Sequence, residues 1–79
     1  MLKSAKEMFE ELEYEQDLNN KFYIGYIKRI PNTRTKDRII TFMKELKFFT
    51  FIDQDNRTHI ELDELKAINQ QCKELGWID

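Results

Sequence analysis

Apolar and polar positions follow a helical spacing over residues 60–79. One stripe of this segment is apolar, and its members are Leu62, Leu65, Ile68, Cys72 and Leu75. The opposite side is charged or amide-bearing and includes Glu64, Lys66, Gln70, Lys73 and Glu74. Acidic residues in the first turn suit the positive end of a helix, and Gly76 can take the left-handed conformation that ends one. The pattern therefore predicts a helix near residues 62–75.

A second helix is predicted near residues 4–13. Ser4 and Glu7 have the spacing of a capping box, in which each side chain accepts a hydrogen bond from the backbone N–H of the other residue. The apolar positions of this helix recur every three or four residues, and they are Ala5, Met8, Phe9 and Leu12. We expect the two helices to bury Phe9, Leu12, Leu65, Ile68, Cys72 and Leu75 against a sheet.

Three segments between the helices are rich in β-branched and aromatic residues, and they predict strands near residues 21–30, 37–44 and 47–53. Residues 17–20 have the composition of a turn. The second of these segments also permits a helical spacing, but its β-branched and aromatic content favours a strand. The order α-β-β-β-α predicts one α+β domain over residues 1–79, in which a three-stranded antiparallel meander packs with two helices.

Both faces of the predicted sheet carry apolar side chains. If both helices pack on one face, the other face remains open, and it includes Tyr23, Ile27 and Phe48. A small protein seldom exposes an apolar patch of that size without using it. Either one helix covers each face, or the spare face binds a partner. A homodimer through the sheet is one such arrangement.

Residue types that support catalysis or metal binding are scarce in this chain. The one histidine, His59, precedes the last helix, and the one cysteine, Cys72, falls on the apolar stripe. A nucleophile needs a base within hydrogen-bond reach, and a structural zinc site needs about four ligands. No apolar run approaches the roughly 20 residues of a membrane span. We therefore expect a cytoplasmic, non-enzymatic protein without a metal or cofactor.

The formal net charge of −2 conceals a segregation of charge along the chain. Every charged residue between positions 7 and 17 is acidic, whereas residues 28–38 are mostly basic. An acidic surface can occupy a basic groove of a partner protein. The partner-binding candidates are therefore Glu10, Glu11 and Glu13, together with Tyr23, Ile27 and Phe48 of the spare sheet face. The alternative is nucleic-acid binding, because clustered cations hold phosphates. Its candidate residues are Lys28, Arg29, Arg34, Lys36 and Arg38.

Two segments of the sequence resemble small phage and prophage proteins of low-GC Gram-positive bacteria. These segments are AKEMFEEL at residues 5–12 and ELKAINQQCKELGWI at residues 64–78. The phage proteins tend to have glycine just after the first helix, where this chain has Glu13. The resemblance implies an accessory protein that works inside a bacterial cell, and it brings no catalytic residues. We therefore expect a protein that binds and modulates or inhibits a host protein, with host defence nuclease complexes among the candidate targets.

Overall fold

The structure is a computed structural model that describes residues 3–29, 37–53 and 59–78. Within these residues, two helices and four strands follow one another along the chain. Their bounds are α1 Ala5–Glu11, β1 Glu15–Asn19, β2 Tyr23–Arg29, β3 Asp37–Met43, β4 Phe48–Asp53 and α2 Leu62–Glu74. The strands form one antiparallel sheet in the order β1-β2-β3-β4. The predicted α+β class is confirmed, but the predicted number of three strands is wrong.

The strand that sequence reasoning missed is β1, which overlaps the turn predicted at residues 17–20. Its sequence, Glu-Gln-Asp-Leu-Asn, lacks the β-branched and aromatic residues that mark strands. β1 pairs with β2 at one edge of the sheet, and the register shifts between Gln16 and Leu18. The turn comes later, where the Asn20 side-chain carbonyl accepts hydrogen bonds from the backbone N–H groups of Phe22 and Tyr23 at 2.8 and 2.9 Å. A polar, bulged strand is common at a sheet edge because such a strand resists pairing with other chains.

Both helices pack on the same face of the sheet, which we call the inner face. The Phe9 ring of α1 stacks on Tyr26 of β2 with a centroid distance of 4.1 Å, and it meets Phe42 of β3 edge-on. The Gln71 side chain of α2 accepts a hydrogen bond from the Tyr26 hydroxyl at 2.6 Å. Because β2, β3 and β4 pair in register, Ile40 and Phe51 lie beside Tyr26 on this face. The arrangement with one helix on each face is therefore excluded for the described helices.

The buried side of α2 differs from the predicted stripe. Phe9 and Ile68 are buried as predicted, and Leu12, Cys72 and Leu75 are partly buried against the core. The prediction for Leu65 is wrong because its side chain is 53% exposed, and Leu62 is exposed as well. The residues of α2 that are buried instead are Glu64, Ala67, Ile68 and Gln71. Two of these are polar, and each is hydrogen-bonded to a polar side chain of the sheet.

Both helices end in the same hydrogen-bonded motif, but different residues hold the left-handed position. At the end of α1 the N–H of Tyr14 bonds to the carbonyl of Phe9, and at the end of α2 the N–H of Trp77 bonds to that of Cys72, each at 2.9 Å. These are the long bonds of Schellman motifs. The residue in the left-handed conformation is Gly76 after α2, with φ of 76°, and Glu13 after α1, with φ of 71°. At the end of α1, Glu13 therefore occupies a backbone conformation that favours glycine.

We predict that Glu13→Gly stabilises the protein by about 0.5 to 1 kcal/mol. A non-glycine residue in the left-handed region costs roughly 1 to 2 kcal/mol, and glycine removes this strain. Part of the stabilisation is lost because glycine also raises the conformational entropy of the unfolded chain. The matched control is Gly76→Ala, which introduces the same strain at the equivalent position and should destabilise by about 1 to 2 kcal/mol. Urea unfolding of both variants measures the difference. Destabilisation by Glu13→Gly would contradict the strain at this position.

Candidate binding surface

One buried arginine connects the sheet to α2 and to the segment after α1. The guanidinium of Arg38 donates from Nη2 to Glu64 Oε1 at 2.9 Å and from Nε to Glu64 Oε2 at 3.1 Å. Nη1 forms a salt bridge with Asp53, the residue opposite Arg38 on β4. The guanidinium also lies 4.5 Å from the centroid of the Phe51 ring. Arg38 therefore holds β3, β4 and α2 together through bidentate and stacking contacts.

Tyr14 completes this cluster from the segment after α1. Its hydroxyl donates a hydrogen bond to Glu64 and accepts one from Nε of Arg38 at 3.2 Å. Burial and the neighbouring Glu64 carboxylate raise the pKa of Tyr14 above its ordinary value, so the phenol stays protonated. Burial alone would raise the pKa of Glu64, but hydrogen bonds from Tyr14 and the Glu61 backbone and the Arg38 charge outweigh it and lower that pKa. The carboxylate therefore remains ionised beside the guanidinium.

In the Arg38 cluster, which consists of Arg38, Glu64, Asp53 and Tyr14, the buried polar groups are hydrogen-bonded to one another. Within the described residues, no buried side-chain nitrogen or oxygen lacks a partner. A cleft of about 240 Å³ adjoins the cluster, and its lining includes Lys28, His59 and Glu61. No group of three or more potential metal-ligating side chains occurs in the described part of the chain. Because its buried groups are all partnered, we assign the cluster a structural role.

The opposite side of the sheet, which we call the outer face, carries no described helix or strand over it. Cross-strand partners arrange its side chains in rows that run across β2, β3 and β4. One row is Tyr23, Met43 and Phe48, and the next large row is Ile27, Ile39 and Ile52. Between them lies a row of small residues: Gly25, Thr41 and Thr50. The outer face is therefore a shallow trough of glycine and threonine between two apolar ridges.

Several ridge residues of the outer face are accessible to solvent. Phe48 is 43% exposed, Ile52 is 51% exposed and Tyr23 is 36% exposed. At the turn end of this face, Phe22, Tyr23, Met43, Glu45 and Leu46 line a cleft of about 90 Å³. Phe22 and Leu46 are also exposed, at 49% and 70%. Exposed aromatic and aliphatic side chains around a small cleft are typical of a surface that receives an apolar side chain of a partner.

Gly25 allows β1 to lie close against β2 in the trough. A Cβ atom at this position would lie 3.1 Å from Oδ1 of Asp17 and 3.2 Å from Cβ of Leu18. Both contacts come from the part of β1 where the register with β2 shifts. The glycine therefore accommodates the bulge of the edge strand. Leu18, which is 37% exposed, closes the β1 end of the trough.

The partner-binding candidates do not form a single surface. Tyr23, Ile27 and Phe48 all lie on the outer face, as their register shows. Glu10 and Glu11 are exposed on α1, which packs on the inner face, and Glu11 forms a salt bridge with Lys3. Glu13 is the left-handed residue that follows α1. Acidic and apolar candidates therefore lie on opposite sides of the protein.

The basic candidates are dispersed as well. Arg38 is 6% exposed and is held by two carboxylates, so it is not part of an exposed basic surface. Lys28 lies near the Tyr14 ring on the inner side, whereas Arg29 forms a 2.8 Å salt bridge with Glu15 on the outer side. Arg34 and Lys36 lie outside the described residues. The three basic candidates that the structure describes, Lys28, Arg29 and Arg38, therefore do not form a common basic surface.

No family model, curated protein or solved structure matches this chain. In the described part of the chain no helix has the length and apolar character required to cross a membrane.

Sequence reasoning missed the residues that organise the site. The helical spacing predicts Glu64 on the polar side of α2 and makes no prediction for Gln71, but both residues are buried. The available signal was that Arg38 stands in an otherwise apolar strand, Arg-Ile-Ile-Thr-Phe-Met, at an inner-face position. A buried arginine requires a carboxylate partner. That requirement could have indicated an inward-facing acid on the last helix.

We predict that Arg38→Met destabilises the protein by about 3 to 5 kcal/mol, because it removes the cation that pairs with the buried Glu64 carboxylate. The matched control is Arg29→Met on the adjacent strand. Arg29 also pairs with a glutamate, but both side chains are largely exposed, so its removal should cost no more than about 1 kcal/mol. Urea unfolding of both variants at neutral pH provides the measurement. Equal costs for the two variants would refute the structural role of the cluster.

Proposed function

We propose that this chain is a non-enzymatic accessory protein of phage type that binds a host protein through the outer face of its sheet and thereby modulates or inhibits it. The observation that carries this proposal is the apolar outer face with exposed Tyr23 and Phe48. The resemblance of residues 5–12 and 64–78 to phage and prophage proteins supports the accessory role. Host defence nuclease complexes are among the targets that this role would include.

The dimensions of the outer face suit the centre of a protein interface. Its three rows extend over four residue steps and three strands, which corresponds to roughly 300 Å² with side chains included. The largest apolar patch on a typical monomer measures about 300 to 600 Å², and such a patch is often functional. A protein interface buries about 800 Å² on each partner, with an apolar centre and a polar rim. The Glu15–Arg29 ion pair lies at one end of the Ile27 row and supplies part of such a rim.

The charges of the described residues favour a protein partner over nucleic acid. Nucleic-acid binding requires lysine or arginine side chains that are free to contact the regularly spaced phosphates of the nucleic-acid backbone. On the outer face Arg29 is paired with Glu15, and Arg38 is buried in its cluster. The aromatic residues of the outer face adjoin aliphatic ones, as in the pocket of Phe22, Tyr23 and Leu46. These features suit an apolar protein surface with a protruding side chain.

Binding of this kind would act by occupying a surface of the host protein. Tyr23 and Phe48 flank Met43 in one row, so they present two aromatic rings separated by a flexible side chain. Aromatic residues in such positions contribute much of the free energy of binding, and methionine adapts to irregular partners. The helices and the Arg38 cluster pack against the inner face of the sheet that carries these side chains and hold it in place. The surface is therefore preorganised, and little conformational entropy is lost on binding.

We expect the double variant Tyr23→Lys and Leu46→Lys to weaken the affinity for the host partner by about 30-fold or more, as loss of hot-spot contacts does. Both residues are exposed, so the fold should be retained. The partner is first captured from a Gram-positive host lysate with the wild-type protein and then purified. Isothermal titration calorimetry against the purified partner gives the affinities.

The matched control is Glu10→Gln with Glu11→Gln, because it changes the net charge by the same two units on the opposite side of the protein. This variant should bind as tightly as the wild type. Loss of binding by the control, together with full binding by the outer-face variant, would overturn the proposed surface. Fluorescence anisotropy with short single-stranded DNA and RNA tests the alternative. Tight, salt-dependent binding there would favour the nucleic-acid function.

A further inference from the structure

The two edges of the sheet differ in how well they are protected. β1 at one edge is polar, acidic and bulged. β4 at the other edge has the sequence Phe-Phe-Thr-Phe-Ile-Asp and pairs with β3 in continuous register without a bulge. Half of the residues of an antiparallel edge strand direct their N–H and C=O groups away from its neighbour. No described strand pairs with the free edge of β4. A regular, apolar edge strand of this kind is a template for a further strand.

β4 also exposes apolar side chains on both sides of the sheet. Phe48 and Ile52 are exposed on the outer face. On the inner face Phe49 is 36% exposed, because the helices do not cover this edge completely. Apolar side chains are therefore exposed on both faces of β4 at its free edge.

We propose that two copies of this chain pair through β4 in antiparallel orientation, with Thr50 on the two-fold axis, to form a continuous eight-stranded sheet. A two-fold axis that relates neighbouring antiparallel strands is perpendicular to the sheet. Residues opposite each other then lie on the same face of the sheet. With Thr50 opposite itself, Phe48 faces Ile52 of the second copy and Phe49 faces Phe51. The helices of both copies lie on the same side.

The sequence of β4 identifies a second copy as the occupant of this edge. Around Thr50 the strand is self-complementary, since each large apolar residue meets another large apolar residue on either face. Residues 48–52 contain no charged side chain, so the pairing brings no like charges opposite each other there. The charged residue of β4, Asp53, lies at the end of the strand and forms a salt bridge with Arg38. Cross-strand aromatic and aliphatic pairs of this type stabilise antiparallel sheets. Pairing also leaves the outer face open, so the dimer does not depend on the proposed function.

A cysteine at the two-fold axis tests this geometry. Thr50→Cys in a Cys72→Ala background should form a disulfide-linked dimer under mild oxidation, because opposite residues of antiparallel strands have Cα atoms about 4.5 to 5.5 Å apart, within disulfide range. The matched control is Thr41→Cys in the same background, since Thr41 neighbours Thr50 in the same row but lies on an interior strand. It should remain monomeric on non-reducing gels. Linkage of Thr41→Cys as readily as Thr50→Cys would indicate stacking of outer faces and overturn the edge pairing.

A charge at the same position provides the second test, without any cross-linking. Light scattering with size-exclusion chromatography should give the wild-type protein twice the mass of one chain. Thr50→Lys places two ammonium groups opposite each other at the axis, and it should reduce the mass to that of one chain. Thr50 is exposed, so the circular dichroism spectrum should stay unchanged, whereas Tm should fall by the stabilisation that dimer formation gives the wild type. A monomeric wild type, or a dimer that persists in Thr50→Lys, would overturn the proposal.

Discussion

The buried ion pair between Arg38 and Glu64 determines how the helices lie on this sheet. The guanidinium belongs to the inner face of β3, and it needs a carboxylate because an unpaired buried charge is costly. Glu64 meets this need only when its side of α2 faces the sheet. This orientation brings Ala67 and Gln71 inward and leaves Leu62 and Leu65 at the surface. An electrostatic requirement therefore prevails over the burial of two leucines.

The same ion pair reaches the N-terminal part of the fold through Tyr14. Glu13 turns the chain in a left-handed conformation after α1, and this turn directs Tyr14 into the core. The Tyr14 ring packs edge-on against Phe9, while its hydroxyl bonds to Glu64. Both helices are thus fixed on the inner face by one polar centre and one aromatic cluster. The outer face and the β4 edge remain without a described cover, and these are the surfaces to which we assign partner binding and self-association.

The sequence predicted the parts of the fold that depend on local pattern. The capping box at Ser4, the alternation in β2 to β4 and the glycine after α2 each led to the correct element near its observed bounds. β1 was missed because its pairing comes from the neighbouring β2 strand and not from its own composition. The orientation of α2 was misjudged because Leu65 fits the apolar spacing, whereas Glu64 is buried for its bond to a residue 26 positions away. Among the site residues, Tyr23, Ile27 and Phe48 share one face as alternation implies, but the burial of Arg38 required knowledge of the tertiary partner.

The openness of the outer face is the central claim, and the isoleucines of the sheet report on it directly. Ile27, Ile39 and Ile52 lie on the outer face, whereas Ile24 and Ile40 lie beneath the helices. Methyl NMR of isoleucine-labelled protein, with a soluble paramagnetic agent added, measures the access of solvent to each methyl group. Strong broadening of the three outer methyl signals, with the two inner signals preserved, is the result expected for an open face. Equal protection of both sets would show that the outer face is covered and would contradict the proposed binding surface.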